Sequence, residues 1–392
     1  MRTLILTLAS VVALAPLSAA SPTPLAQLAD EQFAFAAKQY RGLLADMSGD
    51  AKKLPRSHSN GKVRMIAPED WVSGFFPGCL WLVHEHTGDA ELRRAAEDFT
   101  HRLESIQHYT GNHDVGFMLG CSYGEGYRIT GNAAYRPILI NGARSLATRF
   151  NEKVRLIRSW DFGSWKYPVI IDNMMNLELL IQAAEYSGEK RLRDIAISHA
   201  DRTLEEHFRP DGSSFHLVDY DPTTGAVLRK QTVQGYSDPS AWSRGQGWAL
   251  YGYTRMYALT KDPRYLAQAR KIADFIVSHP RLPADGIPYW DFDVPHIPDA
   301  LRDVAAGALI CSALLDLADI VGADGTSYRA LAERQLRSLC TAHYRAGLSE
   351  NGHFLLMHGV GHLPEKSEVD VPLMYADYYF LEALAHVAKK KQ

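Results

Sequence analysis

The segment Trp242-Ser243-Arg244-Gly245-Gln246-Gly247-Trp248 sets a guanidinium between two indoles, with glycines beside it, at the start of an apolar helix. Indole faces pack on pyranose rings, and an arginine fork pairs bidentately with a carboxylate. Those residue types suit a sugar acid, with Arg244 meeting its carboxylate. The competing reading is an aromatic core helix with one snorkelling arginine.

Two carboxylates stand out beside it. Asp114 lies in His113-Asp114-Val115-Gly116-Phe117, and Asp172 in Ile171-Asp172-Asn173-Met174-Met175-Asn176-Leu177. A pair of carboxyl groups is the minimum kit for acid–base work on a glycan. Asp172 follows the apolar run Tyr167 to Ile171, and burial raises a carboxyl pKa, whereas a helix N-terminus lowers it. The sign is open from sequence alone. Each aspartate taken singly also reads as a helix N-cap. Trp160 and Trp165, upstream of Asp172, read equally as a stacking platform or as loop anchors. His84-Glu85-His86 lacks zinc-helix spacing, and no P-loop, dinucleotide fingerprint or Gly-x-Ser-x-Gly elbow occurs, so neither metal nor cofactor is expected.

These residues must be held by helices. Polar turns recur at Thr87-Gly88-Asp89, Thr130-Gly131-Asn132, Ser187-Gly188-Glu189, Thr260-Lys261-Asp262 and Val321-Gly322-Ala323-Asp324, each followed by Leu or Tyr and spaced alanines. Such self-similarity signals a repeated helical hairpin. Helices are expected at about 24–47 and 371–389, with others starting near 71, 90, 115, 133, 173, 189, 243, 262, 304 and 325. Nearly apolar helices alternate with amphipathic ones, placing the former inside and the latter outside. The resulting fold class is all-α, an (α/α)6 barrel; an open solenoid fits less well because the repeats are unequal. The inner helices are expected to begin at Asp70-Trp71, Asp114, Asp172, Ser243, Asp303 and Asp370, converging at one mouth. Loops 208–242 and 280–302 would wall it.

A formal net charge of -3 over 392 residues leaves no footprint for nucleic acid or an anionic membrane. Arg2, the apolar run Leu4 to Leu17 and the small residues to Ala20 read as a signal peptide over 1–20. Export to the periplasm or beyond is expected, with no membrane association after cleavage, leaving 21–392 as one catalytic domain. Cys79, Cys121, Cys311 and Cys340 are far apart and read as buried thiols, although export permits a bridge.

At these residues the chain resembles the unsaturated glucuronyl hydrolases, glycoside hydrolase family 88. The matching segments are the two aspartate motifs, Phe215-His216, Gln234-Gly235-Tyr236-Ser237-Asp238 and Trp242 through Tyr253, in the family's order. The resemblance implies an (α/α)6 barrel and an unsaturated oligosaccharide substrate. The family hydrates the C4=C5 vinyl ether of a 4,5-unsaturated uronic acid left by a polysaccharide lyase. By position Asp172 is implied as general acid/base and Asp114 as the assisting carboxylate. Trp71, His113, His216, Gln234, Trp242, Arg244 and Trp248 are implied around the uronate. Some relatives carry a Ser- and Lys-containing loop for a sulfated second sugar. Here the loop reads Gly361 to Asp370, where Lys366 could meet a sulfate and Glu365 and Glu368 would oppose it. The alternatives are an unsaturated rhamnogalacturonyl hydrolase and a non-catalytic glycan-binding protein.

Overall fold

Hairpin after hairpin, the chain turns where a left-handed residue ends an inner helix. Gly88 closes Phe75–Thr87 at φ 71° and Lys261 closes Ser243–Thr260 at φ 61°. The following outer helices are capped by side chains: Asp89 accepts from the Glu91 and Leu92 N–H groups, and Asp262 accepts from Arg264 with Pro263 at the first helical position. The computed structural model describes residues 23–47 and 52–389; the signal-peptide reading over 1–20 lies outside them.

Among the described residues the inner helices are Phe75–Thr87, the continuous run Val115–Leu119, Gly120–Gly124 and Glu125–Thr130, then Leu177–Ser187, Ser243–Thr260, Val304–Val321 and Met374–Ala388. Each packs on the next, and Met374–Ala388 returns to Phe75–Thr87, which closes the ring. Outside lie Leu25–Asp46, Ala90–His101, Tyr135–Ala147, Lys190–Glu206, Pro263–Ser278 and Thr326–Leu339. The expected (α/α)6 barrel is therefore the observed one. Val304–Val321 is buried nearly all round, between two inner neighbours and its outer partner. The outer helices bury one stripe each, as in Ala90–His101, where Leu92, Ala96, Phe99 and Thr100 point inward.

Strands at the mouth position the chemistry, and the helical pattern gave no sign of them. Pro168–Ile170 pairs antiparallel with Leu217–Tyr220, which pairs with Val227–Gln231, in the register Ile170↔Leu217↔Gln231. A second hairpin joins Gly359–His362 to Ser367–Val371.

Two expectations about the mouth are corrected. Asp370 does not begin an inner helix; it lies in strand Ser367–Val371, bonded to His358 Nδ1 at 2.7 Å, and the helix starts at Met374. Loop 280–302 buttresses rather than lines, since Trp290 and Asp291 bond to the backbone of Ser243 and Tyr236. All four cysteines are free, three of them buried.

Candidate active site

Asp172 and His216 are brought together by the register of the three-stranded sheet. The chain leaves Ile170 into a short 3-10 turn, Ile171–Asn176, that carries Asp172, while His216 immediately precedes Leu217 on the paired strand. The Ile171 N–H donates to the His216 carbonyl at 2.9 Å. His216 Nδ1 accepts from the Val233 and Gln234 N–H groups at 2.9 and 3.3 Å, so the ring proton sits on Nε2. That nitrogen lies 3.7 Å from Asp172 Oδ2 and has no hydrogen-bond partner. Burial pushes the His216 pKa well below the usual value, with nearby charges adding to it, so the imidazole is neutral.

Asp114 is delivered from the adjacent inner helix. Asn176 Oδ1 accepts from the Phe117 N–H at 3.0 Å, and Gly116 lies so close that a Cβ there would stand 2.5 Å from the Asn176 Cα. This contact clamps the two aspartate-bearing turns together. His113 is buried, held through its N–H to the Ser159 carbonyl at 3.0 Å, with Nε2 3.3 Å from Asp114 Oδ1. Burial lowers its pKa to about 3, so it too is neutral.

Neither carboxylate caps its helix. Of the aspartates expected at inner-helix starts, Asp303 does, through the Ala305 N–H. Burial raises the Asp172 pKa to about 7 against the opposing pull of Arg244, of the backbone and of the Trp248 indole. The Trp248 N–H faces this carboxyl without reaching hydrogen-bond geometry. Burial likewise raises Asp114 well above the usual carboxylate range, helped by the charges of Asp172 and Asp70 and opposed by Arg149. A pair so placed retains a proton at neutral pH.

A cavity of about 130 Å³ opens over these groups, lined by Trp71, His113, Asp114, Phe117, Trp160, Ile170, Asp172, Gln234 and Arg244. Trp160 is the wall, and Trp165 packs edge-on behind it at 5.5 Å. Gln234 is oriented by donating to the Gly361 carbonyl at 3.2 Å. Of the nine residues implied for the site, Trp71, His113, Gln234, Arg244 and both aspartates face the cavity. His216, Trp242 and Trp248 stand behind them.

The opening motif is arranged differently from its linear order. The two indoles do not sandwich Arg244; its guanidinium lies over the rings of Trp242 and Tyr375, at 4.6 and 5.4 Å. Trp248 turns away to pack on Phe117 at 5.1 Å. Trp242 is buried between Arg244 and His216. Nor is the fork of Arg244 wholly free. Nη1 donates to Asp303 Oδ2 at 2.6 Å and to the Val360 carbonyl at 2.5 Å, and Nη2 to the Gly361 carbonyl at 2.6 Å. Only Nε–H and the second Nη2–H remain for a ligand. Phe117, Trp160 and Tyr375 were not assigned from sequence, although Phe117 and Trp160 stand in segments the sequence singles out.

The rim carries Arg56, which donates to both oxygens of Glu368 at 2.7 Å and to Asp70 at 2.6 Å. Arg64 also pairs with Glu368, at 3.3 Å. Glu368 is thus compensated and does not present a free charge beside Lys366.

A larger cavity, about 560 Å³, opens at the opposite end of the barrel. Its charged groups are largely spent on one another, in Arg255–Glu178, Arg128–Glu125 and His386–Asp316 pairs. The smaller cavity is the one in which an acid, a base and directed N–H donors converge.

Comparison with known proteins gives a consistent picture. The family model for Glycosyl Hydrolase Family 88 matches residues 50–380. The chain is 44% identical over 366 residues to an unsaturated glucuronyl hydrolase of Formosa agariphila, covering 91% of this chain and 90% of that one. Among solved structures, an unsaturated glucuronyl hydrolase specific for heparin superposes with a TM-score of 0.90 at 47% identity, covering 93% of this chain and 98% of its own. The unsaturated glucuronyl hydrolase of Bacillus sp. GL1 superposes with a TM-score of 0.84 at 28% identity, covering 92% and 96%.

Proposed function

The chain belongs to glycosyl hydrolase family 88, and from that premise we propose that it removes a 4,5-unsaturated glucuronic acid from the non-reducing end of oligosaccharides by hydrating the C4=C5 bond. The observation that carries this reading is the pairing of Asp172, a buried carboxyl raised to about 7, with the neutral Nε2–H of His216 at 3.7 Å.

Protonating an enol ether carbon needs a carboxylic acid that still holds its proton near neutral pH. Asp172 donates that proton to C4, leaving an oxocarbenium at C5. The resulting carboxylate takes a proton from water as the water oxygen bonds to C5. His216 Nε2–H is placed to hold that water or the carboxylate. The hemiketal then opens and expels the remaining sugar. No covalent enzyme intermediate is required, so one carboxyl serves both steps. Asp114, with His113 against it, holds the sugar hydroxyls. Trp71 and Trp160 supply faces for the ring, and the free edge of Arg244 supports the uronate carboxylate.

The cavity's aromatic faces would also suit a glycan-binding module, but such a protein has no use for a protonated carboxyl facing the cavity, as Asp172 does. An unsaturated galacturonyl–rhamnose substrate uses the same chemistry and is decided by turnover. Purified protein incubated with unsaturated disaccharides derived from heparin, chondroitin, hyaluronan and pectin, with product release read by mass spectrometry, tests the reading. Release from glucuronyl substrates supports it; binding without release from every substrate overturns it. We further propose export, on the charged and apolar residues of the N-terminus, and a single catalytic domain over 21–392.

A further inference from the structure

Arg244 is anchored by a carboxylate that no part of the reaction above uses. Asp303 is wholly buried at the start of the inner helix Val304–Val321. Its Oδ2 accepts from Arg244 Nη1 at 2.6 Å, and its Oδ1 accepts from the Ala305 N–H at 3.0 Å and the Val360 N–H at 3.3 Å. One side chain therefore ties together Ser243–Thr260, Val304–Val321 and the hairpin beginning at Gly359. A capping role needs only a hydroxyl or amide oxygen. The second oxygen, spent on a buried guanidinium, is surplus to it.

That surplus has a consequence for the proton donor. The positive charge of Arg244 is the leading influence opposing the raised Asp172 pKa. Asp303 offsets it in direct contact, with Oδ2 2.6 Å from Nη1. The other groups facing this corner are Tyr375, whose hydroxyl stays neutral because burial raises it, the neutral His216 and His113, and Asp114. His362 and Glu368 lie further out, the latter paired with Arg56. Asp303 is thus the carboxylate in direct contact with Arg244.

We propose that Asp303 is a positioning residue for the reaction: it fixes the Arg244 guanidinium over Trp242 and Tyr375 and offsets its charge, so that Arg244 offers its free edge to the uronate without drawing the proton from Asp172. Without that carboxylate, Arg244 carries an uncompensated charge beside Asp172, favours its ionised form and removes the acid. The inference rests on the hydration reading.

The test compares wild type, Asp303→Asn, Arg244→Gln and the double variant, measuring kcat and kcat/KM against pH on an unsaturated glucuronyl disaccharide, with thermal unfolding alongside. Asparagine keeps the cap while removing the charge. In Asp303→Asn the alkaline limb of the kcat profile moves to lower pH by about one unit. The double variant buries no unpaired charge, so it reports even where Asp303→Asn folds poorly; its limb coincides with that of Arg244→Gln alone, in which the wholly buried Asp303, deprived of its cation, takes up a proton and carries no charge. Limbs unmoved in Asp303→Asn, with only lowered thermal stability, would reduce Asp303 to a helix cap. A limb that Asp303→Asn shifts equally when Arg244 is absent would overturn the route through the guanidinium. If wild type itself consumes no unsaturated disaccharide, the hydration reading fails first.

Discussion

His216 holds its Nε2 3.7 Å from Asp172 Oδ2, and two backbone N–H groups on its other nitrogen leave that Nε2 as the protonated one. A neutral donor aimed at a carboxyl stabilises the carboxylate that appears once C4 has been protonated, without ionising it beforehand. His216→Ala is expected to lower kcat by about 10²-fold while KM changes little. Steady-state kinetics on an unsaturated disaccharide check this split; a large rise in KM at constant kcat would place His216 in ground-state binding.

The rate should fall on the alkaline side as Asp172 loses its proton. Its pKa is raised to about 7, and the first step needs the protonated form, so the kcat profile bends downward near neutral pH. Asp172→Glu, reaching further from the buried turn, should shift that limb. A profile flat from pH 5 to 9 would exclude Asp172 as the donor.

Gly116 sets the spacing of the two carboxylates. A Cβ there would meet the Asn176 backbone at 2.5 Å, and both partners are fixed by the Asn176–Phe117 hydrogen bond. Gly116→Ala is expected to cost about 1–3 kcal/mol of stability and, by moving Asp114 away from Asp172, about 10²-fold in kcat. Chemical denaturation and turnover on the same preparation separate the two effects.

How much of this was legible in the sequence depends on the interaction concerned. Helical periodicity and the recurring turns identified the barrel, because each hairpin buries its own stripe and needs only local information. The segments His113–Phe117 and Trp242–Tyr253 pointed to the right mouth. The sheet that pairs Ile170 with Leu217 was not legible: three short strands, the first separated from the other two by the helices Leu177–Ser187 and Lys190–Glu206, carry no period, and Tyr167 to Ile171 reads as any apolar run. The engagement of Arg244 with Asp303 and the Val360 and Gly361 carbonyls was hidden for a similar reason, being a contact across more than fifty residues. Asp370 misled because an aspartate before an apolar helix looks like a cap whether or not the chain detours through a hairpin first.

Asp377 offers a test of the fold away from the chemistry. Its buried carboxyl accepts from the Leu355 and Leu356 N–H groups at 2.8 and 3.0 Å, and burial raises its pKa to about 7. Between the unfolded value near 4 and that folded value, the folded state holds a proton the unfolded state has lost. The stabilisation from Asp377 is therefore full at acid pH and declines as pH rises to 7. Asp377→Ala should cost about 3 kcal/mol through the orphaned N–H groups, with a larger deficit at pH 5 than at pH 8. A deficit that grows with pH would contradict the sign.

Trp71 faces the cavity with Arg56 over its ring at 5.7 Å. Trp71→Ala should raise KM about tenfold through the lost aromatic face, with a smaller effect on kcat. Equal losses in kcat and kcat/KM would instead give Trp71 a role in the transition state.

The most direct measurement follows the ultraviolet absorbance of the conjugated C4=C5 bond in an unsaturated glucuronyl disaccharide, in D2O, with wild type and with Asp172→Asn. Wild type should bleach the absorbance and place one deuterium at C4 of the product, while Asp172→Asn, folded and still binding, should be slowed by about 10³-fold or more. Undiminished bleaching by Asp172→Asn, or product without deuterium at C4, would contradict protonation of C4 by Asp172.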